Sequence, residues 1–368
     1  MRVKDVLKII NRWAPFNTAA EWDNVGLLIG DANADVRTIF IALDADEDAI
    51  NEAIDVGAEV IVAHHPLIYK KLDKLTQEDG AGRAILKAVR YGINIIAAHT
   101  NLDVAPYGVS FLLAERLGLV KHRVLVETAT EKLLKLAVMV PVEHQEQVRE
   151  AICSAGAGHI GNYSHCTFSY QGTGTFKPES EAKPFIGEID RLEQVSEVKI
   201  ESILPQRLLS TVLSAMVQAH PYEEVAYDII PLMNKGETHG FGRIGILDEP
   251  LSTDIFLSKV KKELNCQFVR VAGYYPEKIK KVAVLGGSGA DFIATAAREG
   301  ADLFLTADIK YHQAAEAKGL GLLLVDPGHD ISERLIVPAL ASLLTEQIST
   351  KEVRVIEEKP RQSLFSIY

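Results

Sequence analysis

The chain has 368 residues, a length that predicts two or three domains and excludes a single small module held together by disulfides. Lys and Arg number 39 against 50 Asp and Glu, and the net charge of -11 has the wrong sign for non-specific DNA binding. Apolar residues make up 47% and charged residues 24%, the composition of a folded globular protein.

The N-terminal segment, the length of the apolar runs and the cysteines limit the class of protein further. The N-terminal segment MRVKDVLKIINRWAPF carries charges among its apolar residues, unlike a signal peptide, and no run reaches the roughly 18 apolar residues of a membrane span. We therefore expect a cytoplasmic protein without a membrane partner. The three cysteines are far apart and form no CxxC pair, so any metal ligands would be histidines and carboxylates.

The first part of the chain alternates helix and strand. A helix is predicted over Val3–Trp13, and a loop with the sequence EWDNVGLLIG follows it. The next predicted strands are Thr38–Leu43, Val60–Ala63 and Ile93–Ala98, separated by helices at Asp46–Val56 and Gly80–Tyr91. This alternation predicts βαβ units, and hence an α/β fold with a mostly parallel sheet and flanking helices.

The pattern changes in the middle of the chain and then returns. From about residue 131 to 232 the order strand, helix, two strands, helix, strand predicts a ferredoxin-like α+β unit. Strand and helix alternate again after it, with strands in KKVAVLGG, ADLFLTAD, GLLLVDPG and EVRVIEEK. We therefore predict a host domain of residues 1–128 and 236–368, split by an inserted domain at 129–235. A loop of the host can accept such an insertion because the two termini of a ferredoxin-like unit lie near each other.

Histidines and carboxylates follow three of the predicted strands. His64 and His65 end one strand, Asp103 follows the next in AHTNLD, and His329 and Glu333 are four residues apart in GHDISE, which places them on one helix face. Parallel strands end at a common edge, so these side chains are expected to converge there. The alternatives are one buried and one exposed histidine, an aspartate that caps a helix, and a chance pair.

Five nitrogen and oxygen ligands without sulfur suit one or two divalent ions of Zn, Mn, Fe or Co. Glu333 could bridge two ions, an arrangement that binds and activates water and so predicts a hydrolase-like site. Asp308 and His312 are also four apart and could orient such ligands, although Asp308 could equally cap its helix. The glycines of GGSG at 286–289 are interpreted as a tight turn for close packing instead of a phosphate cradle.

The chain resembles the GTP cyclohydrolase I type 2 homologues, also described as NIF-three-like dinuclear-metal proteins, in the motifs EWDNVGLLIG, AHHPLIY, AHTNLD, GGSGADFI, TADIKYHQA and GHDISE. The resemblance covers about residues 1 to 125 and 240 to 368. It implies that two divalent ions, zinc by preference with iron, manganese or cobalt as alternatives, are bound by His64, His65, Asp103, His329 and Glu333. It also implies a homohexamer whose metal sites face an internal cavity. In the inserted domain, AHPYEEVAYDI resembles the PII and CutA class.

The family name implies the hydrolytic opening of GTP, whereas the sequence shows no motif that reads guanine or a triphosphate. We therefore expect a metal-dependent hydrolase for a small molecule, with Glu333 bridging the ions and His99 or His312 moving protons. The alternative is a metal-handling or regulatory protein whose ions are cargo or signal. A ring that encircles nucleic acid is disfavoured by the acidic charge.

Overall fold

A computed structural model describes residues 1–348, 352–359, 361 and 364–365. The chain forms two compact units, one made of Met1–Ala129 with His239–Tyr368 and the other of Thr130–Thr238. Within the described ranges, we find no helix with the length and apolar character needed to cross a bilayer.

The strands, in chain order, are β1 Gly26–Ile29, β2 Thr38–Asp44, β3 Val60–His65, β4 Asn94–Ala97, β5 Val120–Pro141, β6 Thr167–Phe176, β7 Glu193–Pro205, β8 Tyr227–Ser252, β9 Arg270–Gly273, β10 Lys278–Val284, β11 Leu303–Leu305, β12 Leu323–Asp326 and β13 Arg354–Glu357. The α-helices are α1 Val3–Trp13, α2 Glu47–Asp55, α3 Gly80–Arg90, α4 Thr100–Val104, α5 Val109–Arg116, α6 Gln145–Ser154, α7 Leu209–Ala219, α8 Thr253–Glu263, α9 Ile293–Arg298, α10 Tyr311–Gly319, α11 His329–Glu333 and α12 Ile336–Gln347.

The first sheet of the larger unit has the strand order β1-β4-β3-β2-β13. Alternate residues of β2 point to opposite faces, and both faces are covered. Ile39 and Ile41 pack with α1 and α12, whereas Phe40 and Ala42 pack with α2 and α3. Burial on both faces explains why this strand is an almost uninterrupted apolar run.

The second sheet of this unit runs β8-β10-β11-β12-β9. Its central strands β10, β11 and β12 are parallel. Phe256 of α8 and Leu113 of α5 pack on one face with Val282, while Ile293 of α9 packs on the other with Phe304. The unit is therefore a mixed α/β structure with two sheets and flanking helices.

The prediction of one mostly parallel sheet is correct only for the central strands. The larger unit has two sheets, and β1, β8 and β9 pair with their neighbours in antiparallel fashion. The parallel prediction depends on strand–helix–strand alternation, which produces crossovers, and these three strands lie outside that alternation. In particular, EWDNVGLLIG, predicted to be a loop, contains the edge strand β1.

The smaller unit contains the end of β5, then α6, β6, β7, α7 and the start of β8. This element order is the predicted one. Strand β7 pairs antiparallel with both β6 and β5. The core is formed by Val148 and Ile152 of α6 and Val212 of α7 packed with Val138 and Ile200 of the sheet.

Candidate metal centre

Four histidines and two carboxylates meet at the carboxyl ends of strands in the larger unit. The chain contributes them from three places: His64 and His65 end β3, His99 and Asp103 lie just after β4, and His329 and Glu333 begin and end α11, which follows β12. Three overlapping sets have ligand atoms within 4.8 Å of one another: His64, His65 and His99; His65, His329 and Glu333; His64, Asp103 and Glu333.

His64 is fully buried, and a hydrogen bond to the backbone fixes the orientation of its ring. Its Nδ1 lies 2.9 Å from the carbonyl oxygen of Ala98, so Nδ1 donates and Nε2 presents a lone pair to the centre. That Nε2 lies 3.6 Å from Oδ1 of Asp103 and 3.8 Å from Oε1 of Glu333. Among the described residues, neither His64 Nε2 nor Asp103 Oδ1 has a hydrogen-bond partner, although both are buried. Such unpaired atoms are costly, and a bound cation would satisfy both.

The two oxygens of Glu333 face different ligand sets. Oε2 lies 2.9 Å from Nε2 of His65 and 3.2 Å from Nε2 of His329, whereas Oε1 faces His64. Glu333 is only 2% exposed, so its carboxylate is held in one position by its surroundings. This is the geometry expected of a carboxylate that bridges two ions.

Aspartates lie behind the other three histidines. In each case a carboxylate oxygen accepts a hydrogen bond from Nδ1 and leaves Nε2 facing the centre. The pairs are His65 with Asp44 at 2.8 Å, His99 with Asp23 at 2.9 Å, and His329 with Asp308 at 2.7 Å.

Electrostatics keep Glu333 ionised and make His65 and His329 more basic. Burial by itself raises the pKa of Glu333, but hydrogen bonds from His329 and His65 bring it well below its ordinary value. Burial lowers the pKa of His65, but hydrogen bonds to Asp44 and Glu333 outweigh this and raise the pKa to about 10. The same balance, with Glu333 and Asp308 as partners, raises the pKa of His329 to about 9. Without a metal, protons therefore supply the positive charge that this centre attracts.

The glycine-rich segment at 286–289 makes room for Glu333. A Cβ atom on Gly287 would lie 2.0 Å from Oε1 of Glu333, and Gly287 has a φ of +68°, which disfavours other residues. The N–H of Gly287 donates to Oγ of Ser332, and that of Gly289 donates to Oγ1 of Thr306. The close approach of Gly287 to Glu333 supports the interpretation of this segment as a close-packing turn, and two of its four N–H groups are already used.

The structure places the predicted ligands together, while their role as ligands stays a prediction. His64 and His65 do not divide into an inward and an outward residue, because their ring centroids are 5.0 Å apart at one centre. Asp103 lies inside α4, with His99 at the N-cap, so it is not the capping residue. His99, predicted only to move protons, has a nitrogen within 4.8 Å of ligand nitrogens of His64 and His65. His312 is exposed on α10 and does not line the cavity described next.

A cavity of about 660 Å³ opens onto the centre and is lined by His65, His99, Asp103, His329 and Glu333. Several residues around this cavity are not predicted from the sequence. These are the orienting aspartates and four aromatic residues of the lining: Asp23, Asp44, Trp22, Tyr69, Phe241 and Phe292. A signal was present for Asp44, because it ends β2 at the same sheet edge as His65.

Asp308 is expected to control the affinity of the centre through His329. Its backbone has a φ of 58°, a left-handed conformation that asparagine also adopts, so Asp308→Asn removes the charge with little backbone strain. We expect metal affinity to fall by about tenfold, as for other carboxylates that orient a ligating histidine. Competition with a chromophoric chelator measures this, with Asp55→Asn, an exposed aspartate at the end of α2, as the control. Equal affinity in the two variants would exclude the orienting role.

The sequence matches the family described as Duf34/NIF3 (NGG1p interacting factor 3) over residues 1–362. It is 46% identical over 347 residues to a Halalkalibacterium halodurans protein named GTP cyclohydrolase 1 type 2 homolog, covering 94% of this chain and 93% of that one. A Bacillus subtilis protein of the same name is 44% identical over 352 residues, covering 96% and 94%. The crystal structure of a Bacillus cereus protein related to NIF3 superimposes with a TM-score of 0.91 at 44% identity, covering 100% of this chain and 99% of that one. This chain belongs to the Duf34/NIF3 family.

Proposed function

We propose that the protein binds two divalent metal ions at this centre and is a metal-dependent hydrolase that acts on a small molecule. The observation that carries the proposal is a pair of buried atoms, His64 Nε2 and Asp103 Oδ1, which have no hydrogen-bond partner among the described residues and lie beside one oxygen of Glu333. The other oxygen faces the Nε2 atoms of His65 and His329. Donors of this kind, without sulfur, suit zinc, iron, manganese or cobalt, and zinc is the ion we favour.

Each ion would have its own ligand set, and Glu333 would belong to both. His64 and Asp103 would hold one ion, and His65 and His329 the other. A nitrogen of His99 lies within 4.8 Å of those of His64 and His65, but we leave His99 outside both ligand sets because its Nε2 is assigned to proton transfer.

Divalent ions held there would supply Lewis acidity and activate a water molecule at neutral pH. The protein's own contribution is to position the histidines and to carry a proton. His99 lines the cavity, and Asp23 accepts a hydrogen bond from its Nδ1, so its Nε2 can exchange a proton with a bound molecule. His312 does not line that cavity, so we assign proton transfer to His99.

GTP is the first substrate to test because the relatives bear the name GTP cyclohydrolase 1 type 2 homolog. The protein is purified without chelator or histidine tag, its metal content is measured by elemental analysis, and release of formate from GTP is followed. About two ions per protomer and turnover that Glu333→Gln abolishes would support the hydrolase. Full metal content that passes reversibly to a chelator, without turnover of GTP or other cyclic and phosphorylated metabolites, would favour the metal-handling alternative.

Metal binding at pH 7 is expected to release at least about two protons per protomer, because a histidine coordinates only through a neutral nitrogen. The pKa of His65 is about 10 and that of His329 about 9 without metal, so both carry a proton at pH 7. The affinity should rise, and the release decline, as the pH increases through 9 and 10. Calorimetric titration in two buffers of different ionisation enthalpy counts the protons. A count near zero at pH 7 would contradict these protonation states.

We propose a homohexamer, which light scattering tests as a mass six times the 40.4 kDa of the chain. We also propose that Thr130–Thr238 is a ferredoxin-like domain of the PII and CutA class, supported by its β-α-β-β-α-β element order.

A further inference from the structure

Aromatic rings form a large part of the cavity beside the metal centre. Trp22 and Tyr69 lie edge to face, with ring centroids 5.9 Å apart, and are 60% and 51% exposed. Trp22 also contacts the ring of His99, at 6.2 Å between centroids. A second pair, Phe241 and Phe292, is stacked at 5.6 Å with an interplanar angle of 23°. Exposed ring faces next to a reactive centre favour a flat ligand that stacks on them.

The cavity carries negative charge and lacks the side chains that normally bind phosphate. Within the described part of the chain, no Lys or Arg is among its lining residues. Six carboxylates line it or lie directly behind its histidines: Asp23, Asp44, Asp103, Asp291, Asp308 and Glu333. Two divalent ions would bring four positive charges, so the loaded site would still be net negative. The positive charge of Arg361 helps to lower the pKa of Asp44, but Arg361 does not line the cavity and is already paired with Asp46 and Glu358.

Asp291 is the carboxylate of this cavity that is not engaged by the protein. It lines the cavity next to Phe292, is exposed, and among the described residues makes neither a hydrogen bond nor an ion pair through its side chain. An ionised carboxylate accepts hydrogen bonds through two oxygens and pairs best with two adjacent N–H donors. Asp291 therefore suits the edge of a ring that carries a ring N–H beside an exocyclic amino group.

We propose that the cavity binds a flat, amino-substituted heterocycle without a phosphate chain, stacked on the exposed rings of Trp22 and Tyr69 and hydrogen-bonded to Asp291. This inference rests on the proposed function and narrows its substrate class to a free base or nucleoside. A nucleoside triphosphate would bring several negative charges to a site that is already net negative, and among the described residues no cationic side chain lines the cavity to receive them.

The test uses Trp22 as a reporter. The chain has two tryptophans, so Trp13→Phe leaves Trp22 alone to report on the cavity. The full-length variant, with its metal content measured on the same sample, is titrated with guanosine, inosine and GTP while Trp22 fluorescence is followed. Inosine differs from guanosine only by lacking the exocyclic amino group. The ligand affinities of Asp291→Asn are compared with those of Asp55→Asn, which changes an exposed aspartate away from the cavity.

We expect guanosine to quench Trp22 saturably and to bind at least about tenfold more tightly than GTP and inosine. In Asp291→Asn, the preference for guanosine over inosine should disappear, with the metal content unchanged, whereas Asp55→Asn should keep it. GTP binding as tightly as guanosine would overturn the inference, as would full metal content without saturable quenching. Guanosine binding that depends on Asp291 in protein without metal would support the ligand class and overturn the dinuclear function instead.

Discussion

Glu333→Gln is expected to release both ions. Each oxygen of Glu333 faces a different set of ligand atoms, so a neutral amide weakens both sets and places an NH2 group against one of them. Removing the carboxylate of an orienting aspartate costs about 10- to 100-fold in affinity, and the loss of a shared ligand should cost at least about 100-fold. Elemental analysis after dialysis against metal-free buffer measures the remaining ions.

Two variants of α10 separate this effect from a general change of charge. Glu316→Gln alters an exposed carboxylate outside the cavity, and His312→Ala removes an exposed histidine that does not line it. Both should retain the metal content of the natural sequence. If Glu333→Gln retained it as well, Glu333 would not bridge two ions.

Gly287→Ala is expected to weaken metal binding by displacing the carboxylate of Glu333, which Gly287 contacts. The new Cβ would lie 2.0 Å from Oε1 of Glu333, and the φ of +68° disfavours any side chain. The left-handed backbone alone costs roughly 1–2 kcal/mol in the free energy of unfolding. Displacement of the carboxylate should add a loss of metal affinity of at least about tenfold, because the ligand geometry is then wrong.

Gly319→Ala provides the matched control for Gly287→Ala. Apart from the neighbouring residues and the backbone of its own helix, no described atom lies within 4 Å of a Cβ built on Gly319, and its φ is outside the left-handed region. Urea unfolding of the metal-free proteins and chelator competition should therefore show a loss of stability and of metal affinity in Gly287→Ala only, since alanine in helix α10 keeps or slightly raises the stability. A Gly287→Ala protein with normal metal affinity would mean that Glu333 can move without consequence, and the close fit around it would have no function.

Local patterns in the sequence predicted many elements with small errors. The helix Val3–Trp13 has the predicted bounds, because its apolar residues recur with the helical period and face the core. The spacing of His329 and Glu333 predicted that they share a helix face, and they contact each other at 3.2 Å. The ends of β3 and β4 were also predictable, which located His64, His65 and Asp103 at a sheet edge.

The sequence alone determined which residue types stand at strand ends and how they are spaced, because periodicity and turn chemistry depend on neighbours along the chain. The tertiary structure decided which distant segments meet. It placed β13 beside β2, with Arg354 opposite Thr38, and aimed Asp23 at His99. Those contacts join residues far apart in the chain, and packing of the folded core selects them, so they leave no local pattern to read.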